Sequence, residues 1–154
     1  MCDMDWTYFL PCLWAFLACL GFCVILNVRT GVLICCIGAA LGWLVYLLGS
    51  LGGGNDLICF FLAAMAVSVY AEIMARIRKC PVTGYLLISF LPLVPGAGIY
   101  NTMKYALQGD VDLFLDQGLH TLGIAVCLSV GVLVVSSGVR MFLTFKIKMR
   151  RRKP

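Results

Sequence analysis

Apolar residues run along this chain in blocks of about 20, and polar residues gather between the blocks. A block of that length crosses the hydrocarbon core of a bilayer as one helix, at about 1.5 Å per residue. Five blocks qualify: about 6–26, 32–51, 57–75, 82–100 and 119–142. The fold class read from them is all-α, a polytopic membrane helical bundle of five spans. The fourth span is broken, because Pro92, Pro95, Gly96 and Gly98 fall within seven residues. Proline removes a backbone donor and clashes with the preceding turn, so no continuous helix runs through them. Between the fourth and fifth spans, 101–118 reads as a polar connection, partly helical around Met103, Tyr105, Ala106 and Leu107. A four-span alternative turns the fourth block into a re-entrant loop.

Composition agrees and excludes a water-soluble globule. Of 154 residues, 62% are hydrophobic and 12% charged, against about 45–50% and 25% in soluble domains. Spans of this length leave no room for a separate soluble domain, so 1–154 reads as a single transmembrane domain with a basic tail at 146–154.

Charge selects five spans over four. With five, Arg29, Arg76, Arg78, Lys79, Arg140, Lys146, Lys148, Arg150, Arg151, Arg152 and Lys153 share one side, eleven of the twelve basic residues. Lys104 falls on the other side with Asp3, Asp5, Asp56, Asp110, Asp112 and Asp116. Lys and Arg collect on the cytoplasmic side, which places the amino terminus outside and the carboxy terminus inside. A cleaved signal peptide is not expected, since its start should be positive and this chain opens Met1-Cys2-Asp3-Met4-Asp5. The tail reads as a topology anchor touching lipid headgroups, not as a nucleic-acid site.

Nine cysteines raise the question of metal or redox chemistry. Cys12, Cys19, Cys23, Cys35, Cys36, Cys59 and Cys127 lie in the spans, with no Cys-x-x-Cys pair and one histidine in the chain. The expectation is thiols acting as small hydrophobes, with no metal and no cofactor. Small residues recur at helical spacing: Gly38 and Gly42; Ala64, Ser68, Ala71 and Ala75; Gly123, Gly131 and Gly138. They permit close helix approach in lipid, either within the bundle or against a partner.

Two features rise above this background. Glu72 is the only acid inside a span, about one turn from the inner boundary, with Arg76 four residues on. Intramembrane acids are functional by default, which makes Glu72 a candidate proton carrier with Arg76 as its partner. The structural alternative is an ion pair closing the helix end. The second feature is the break itself. Such a break persists only where protein or a water-filled cavity surrounds it, and transporters aim half-helix amino termini at anionic groups there. Pro92, Pro95, Gly96 and Gly98, followed by Tyr100, Asn101 and Thr102, are the candidate substrate pathway, with a structural kink as the alternative. Tyr70 precedes Glu72 and joins the same group. His120 reads as an interfacial residue, and Ser129, Ser136 and Ser137 as bonding back to helix carbonyls. No P-loop, HExxH or GxSxG occurs, so an enzyme is not expected.

The segments AALGWLVY (39–46), VYAEIMARI (69–77), Pro81-Val82-Thr83 and LPLVPGAGIY (91–100) resemble the small integral-membrane subunit of the threonine/serine exporter family. This subunit is equivalent to the carboxy-terminal half of fused exporters. The resemblance runs over about 31–137. It implies proton-driven export of small carboxylate metabolites across a bacterial inner membrane, threonine and serine in some members and dicarboxylates such as succinate in others. It also implies a larger partner subunit. The family's acidic position falls on Glu72 and its signature on Pro92, Pro95, Gly96 and Gly98. Two five-span units in tandem face opposite ways, so the partner is expected in the opposite membrane orientation. A non-transporting scaffold is the reading from another class.

Overall fold

The computed structural model describes residues 10–25, 32–79 and 81–151. The described residues form six α-helices: α1 (Leu10–Ile25), α2 (Val32–Leu51), α3 (Asp56–Arg78), α4 (Val82–Phe90), α5 (Gly96–Gln108) and α6 (Val111–Arg151). A 3-10 turn, Leu91–Leu93, follows α4. α3 and the stretch Val111–Phe142 of α6 are each long and apolar enough to cross a bilayer. Val82–Leu93 and Gly96–Gln108, bent by 54° at the Pro/Gly break, make a third if taken as one span. Leu13–Ile25 and Cys35–Leu51 are shorter apolar helices. Trp6–Phe9 and Leu26, assigned to the first span, lie outside the described residues.

The stretch expected to be a polar connection is helical except at Gly109 and Asp110. α5 ends with Gly109 at φ 75°, whose N–H bonds Ala106 O while Asp110 N–H reaches Tyr105 O. This paired closure needs the left-handed backbone that glycine adopts without strain. Asp110 then caps the next helix, its carboxylate accepting the Leu113 N–H at 3.3 Å. Two residues thus reverse the chain. The polar residues before and after them sit on helix ends that outrun the apolar blocks. α6, with 41 residues, is about 60 Å long, twice the hydrocarbon thickness.

α3 is the central helix, packed against α2, α4 and α6. One core cluster joins Cys19, Cys23, Cys36, Ala71, Ala75, Tyr85 and Ile88 from α1–α4. A second joins Phe60, Ala64, Val67, Leu93, Ile124 and Leu128. The small residues serve contacts inside the bundle. A Cβ on Gly38 would meet Ser89 Oγ at 2.5 Å, and one on Gly42 would meet Val67 at 2.5 Å and Leu93 at 2.7 Å. Outward faces carry large apolar side chains such as Trp14, Val24, Leu122 and Leu133, each more than 60% exposed. Surfaces of this kind face lipid or another protein.

The packing of α6 on α3 gives a sign test. A Cβ on Gly131 would lie 2.8 Å from Ala64 Cβ and 3.2 Å from Phe61 O, whereas one on Gly138 meets nothing within 4 Å. Gly131→Ala is expected to destabilise by about 1–3 kcal/mol through overpacking. Gly138→Ala should stabilise by up to about 1 kcal/mol through helix propensity. Thermal unfolding of the two variants in detergent, read by size-exclusion recovery, checks the opposite signs.

Candidate functional site

The chain's break opens on a cavity of about 380 Å³, at the low end of the roughly 300–1,000 Å³ typical of small-molecule sites. Pro92 and 93–98 form one wall, Trp43 and Tyr46 of α2 and Asp56 and Phe60 of α3 a second, and Gln117, His120, Thr121 and Ile124 of α6 a third. The geometry follows from the sequence. Pro92 cannot donate to Ile88 O, so α4 tightens into the 3-10 turn, and Leu91 N–H takes that carbonyl instead. Val94 is extended, Gly96 N–H turns back to Val94 O at 2.7 Å, and the first helical bond of α5 is Ile99 N–H to Pro95 O. Among the described residues the N–H groups of Ala97 and Gly98 have no acceptor, and Pro95 supplies no side-chain cap. These two donors sit at the positive end of the helix dipole, the arrangement that binds anions.

A third orphan donor lies in the second wall. The indole Nε1 of Trp43 is buried without an acceptor, a state that costs about 1–3 kcal/mol unless a ligand completes it. Opposite charge is also present. Tyr46 donates its hydroxyl to Asp56 Oδ1 at 2.8 Å, and His120 Nε2 stands 3.6 Å from Asp56 Oδ2. Tyr46 is held between the rings of Trp43 (5.3 Å) and Phe60 (4.6 Å). The cavity therefore presents hydrogen-bond donors for an anionic group and a carboxylate for a cationic one. A neighbouring cavity of about 680 Å³ between α5 and α6 shares Val94, Pro95 and Thr121 but is lined almost entirely by apolar side chains, which suits lipid rather than a charged metabolite.

The residues singled out from sequence fall into separate places. Pro92, Pro95, Gly96 and Gly98 line the polar cavity. Thr102 lines the apolar one and donates to Gly98 O at 2.8 Å, while Asn101 is half-buried. Tyr100 points outward, 69% exposed. Tyr70 packs beside Gly38, away from the cavity. Glu72 is paired with Arg76 at 3.4 Å, the glutamate side chain 13% exposed and the arginine 43%. They line a small groove with Gly138, Val139 and Phe142. Sixteen residues separate Asp56 from Glu72 along α3, so the two acids lie about 24 Å apart along the axis. Trp43, Tyr46, Asp56, Gln117, His120 and Thr121 were not among the sequence candidates. With alternating span direction Tyr46, Asp56 and His120 all fall toward the outer ends of their apolar blocks, which is the signal that would have grouped them.

Removing the orphan donor tests whether the cavity is a binding site. Trp43→Phe keeps a ring against Tyr46 and deletes the N–H. A hydrogen bond to a charged group contributes about 1.5–3 kcal/mol, so the half-saturating substrate concentration should rise about tenfold or more at equal membrane level. An unchanged value would assign Trp43 to packing alone.

The described residues thus form an apolar helical bundle whose Pro/Gly break frames a small cavity carrying N–H donors and a carboxylate. The family model described as Threonine/Serine exporter, ThrE matches residues 11–137, and the chain belongs to that family, one of transporters and not of enzymes. The match begins inside α1, so α1 is part of the family unit, beyond the 31–137 over which the resemblance had been read. No curated protein and no solved structure matches the chain.

Proposed function

We propose that this chain is the smaller subunit of a proton-driven exporter of threonine- and serine-type amino acids. In this reading it crosses a bacterial inner membrane five times, amino terminus outside, as a single transmembrane domain with a cytoplasmic basic tail. It works with a larger subunit of opposite orientation. The observation that carries the substrate reading is the coexistence, in one cavity, of free N–H donors at the start of α5 with the Asp56 carboxylate. An α-amino acid is a zwitterion. Its carboxylate suits the helix start and Trp43 Nε1, and its ammonium suits Asp56. Gln117, His120 and Thr121 remain for a side-chain hydroxyl. A dicarboxylate would bring a second negative charge against the Asp56 carboxylate, which makes succinate the weaker reading.

The proposed topology puts this cavity in the outer half of the membrane and the Glu72–Arg76 pair at the inner end. Glu72 is then the proton carrier and Arg76 its ion-pair partner, exposed enough for the pair to add little stability. The experiment is co-expression with the candidate larger subunit in cells lacking endogenous exporters, loaded with a threonine-containing dipeptide. Efflux is expected only with both subunits. Glu72→Gln at equal protein level should abolish efflux driven by the pH gradient while leaving threonine counterflow in vesicles. Gradient-driven efflux unchanged by Glu72→Gln would reduce the pair to a helix-end ion pair. Efflux from cells expressing this chain alone would remove the partner from the proposal.

A further inference from the structure

The tightest cluster of chemically reactive side chains lies outside the transport cavity. Cys19 and Cys23 of α1 and Cys36 of α2 bring their Sγ atoms within 4.8 Å of one another. All three are buried, at 1% exposure or less. We propose that these three thiols form a binding site for a soft monovalent cation of the Cu(I) class. This inference does not rest on the transport reading.

Geometry supports a three-coordinate ion. Metal–thiolate bonds of about 2.3 Å place the sulfurs of a planar trigonal site about 4.0 Å apart, so the triangle closes with shifts of under about 1 Å. Zinc asks for four ligands in tetrahedral array. Soft sulfur donors without a histidine or carboxylate beside them select Cu(I). The surroundings are Ala39, Ala71, Ala75, Tyr85 and Ile88, an apolar core that brings no oxygen or nitrogen side-chain ligand to the sulfurs. The sulfurs bind a metal as thiolates, so uptake releases their protons to the medium.

Position supplies an entry route and a consequence. Cys23 lies two residues from the end of α1, and Cys36 is the fifth residue of α2. The site is therefore about one helical turn from the end of the bundle that carries Arg76 and Arg78. Under the positive-inside assignment that end faces the cytoplasm, where thiols stay reduced. Cys19 Sγ donates to Ile88 O at 3.4 Å, the carbonyl that Pro92 cannot serve. An ion here ties α1 and α2 to the last turn of α4, directly before the break. Spacing along the chain could not show this, since the third sulfur comes from a different helix.

The test uses the full chain purified in detergent, reduced with a non-thiol reductant under anaerobic conditions. Cu(I) is presented from a chromophoric chelator that sets the free concentration. One Cu(I) per chain is expected, with X-ray absorption showing a sulfur-only shell at about 2.2–2.3 Å and three neighbours. Cys19→Ala, Cys23→Ala and Cys36→Ala should each weaken retention by at least about tenfold, since even outer-shell losses cost 10–100-fold. Cys59→Ala and Cys127→Ala should leave it unchanged. The absorption shell and stoichiometry of the unmutated chain decide the matter even if an alanine variant fails to fold. No uptake, oxygen or nitrogen in the shell, or equal losses at Cys59 would overturn the site. A four-sulfur shell that collapses with Cys35→Ala would replace it by a tetrahedral one.

Discussion

Gly98→Ala is expected to cut export at least tenfold while the chain still reaches the membrane. A Cβ at position 98 would lie 2.5 Å from Thr121 Oγ1, 3.1 Å from its Cγ2 and 3.4 Å from its Cβ. Rotating Thr121 does not clear the space, because a β-branched side chain exchanges one heavy atom for another. Thr121 Oγ1 is also engaged, donating to Gln117 O at 2.7 Å. The start of α5 must therefore move away from α6, carrying the free N–H groups of Ala97 and Gly98 with it. Overpacking of this size costs about 1–3 kcal/mol, and a displacement of about 1 Å at a positioning element can by itself cost about a hundredfold in rate. Thr121→Ala removes both offending atoms, so Gly98→Ala/Thr121→Ala should recover much of the flux. Gly96→Ala serves as the contrast: its Cβ meets nothing within 4 Å, and most flux should remain. Threonine efflux at matched membrane levels, measured for the four variants, checks the order. Normal flux in Gly98→Ala would show that the start of α5 is not a wall of the pathway.

The break after α4 was legible because its cause is local. Two prolines and two glycines dictate a break whatever surrounds them, and the 54° bend falls among them. The use of Gly38 and Gly42 was legible only as close approach. Their partners, Ser89, Val67 and Leu93, belong to helices whose rotation the sequence pattern does not fix. The full helical extent on either side of Gly109 was not legible for a related reason. Hydropathy marks where a helix is apolar, while caps mark where it stops, and the stop signals at Gly109 and Asp110 lie between two polar helix ends. The cavity was the least legible part. Asp56 followed a glycine run and read as a loop charge, and His120 read as an interfacial residue. Neither has meaning alone. Their pairing depends on the start of α3 lying level with the third turn of α6, a tertiary fact that Tyr46 near the end of α2 completes. Convergence across helices likewise gathers Cys19, Cys23 and Cys36.

Asp56→Asn should separate amino-acid export from dicarboxylate export. Asparagine has nearly the same shape, and its carbonyl oxygen can still accept the Tyr46 hydroxyl that Asp56 Oδ1 takes at 2.8 Å. The hydrogen bond and the packing of Tyr46 on Trp43 and Phe60 are therefore retained, and stability should change little. What is lost is the negative charge on the cavity wall. A zwitterion loses its ammonium partner, and charge-assisted hydrogen bonds contribute about 1.5–3 kcal/mol, so threonine export at sub-saturating load should fall roughly 10- to 150-fold. A dianion gains by the same change. The repulsion from Asp56 disappears, and the imidazole of His120, no longer beside a carboxylate at 3.6 Å, is free to turn an N–H toward the second carboxylate. Succinate efflux should hold or rise in Asp56→Asn. The comparison is made in the same cells with both subunits present, so that protein level and driving force cancel in the ratio of the two fluxes. Equal falls for threonine and succinate would mean that Asp56 supports the cavity structurally. A fall for succinate with threonine unchanged would reverse the substrate assignment, because only a cavity that uses the Asp56–His120 pair to hold a dianion behaves that way.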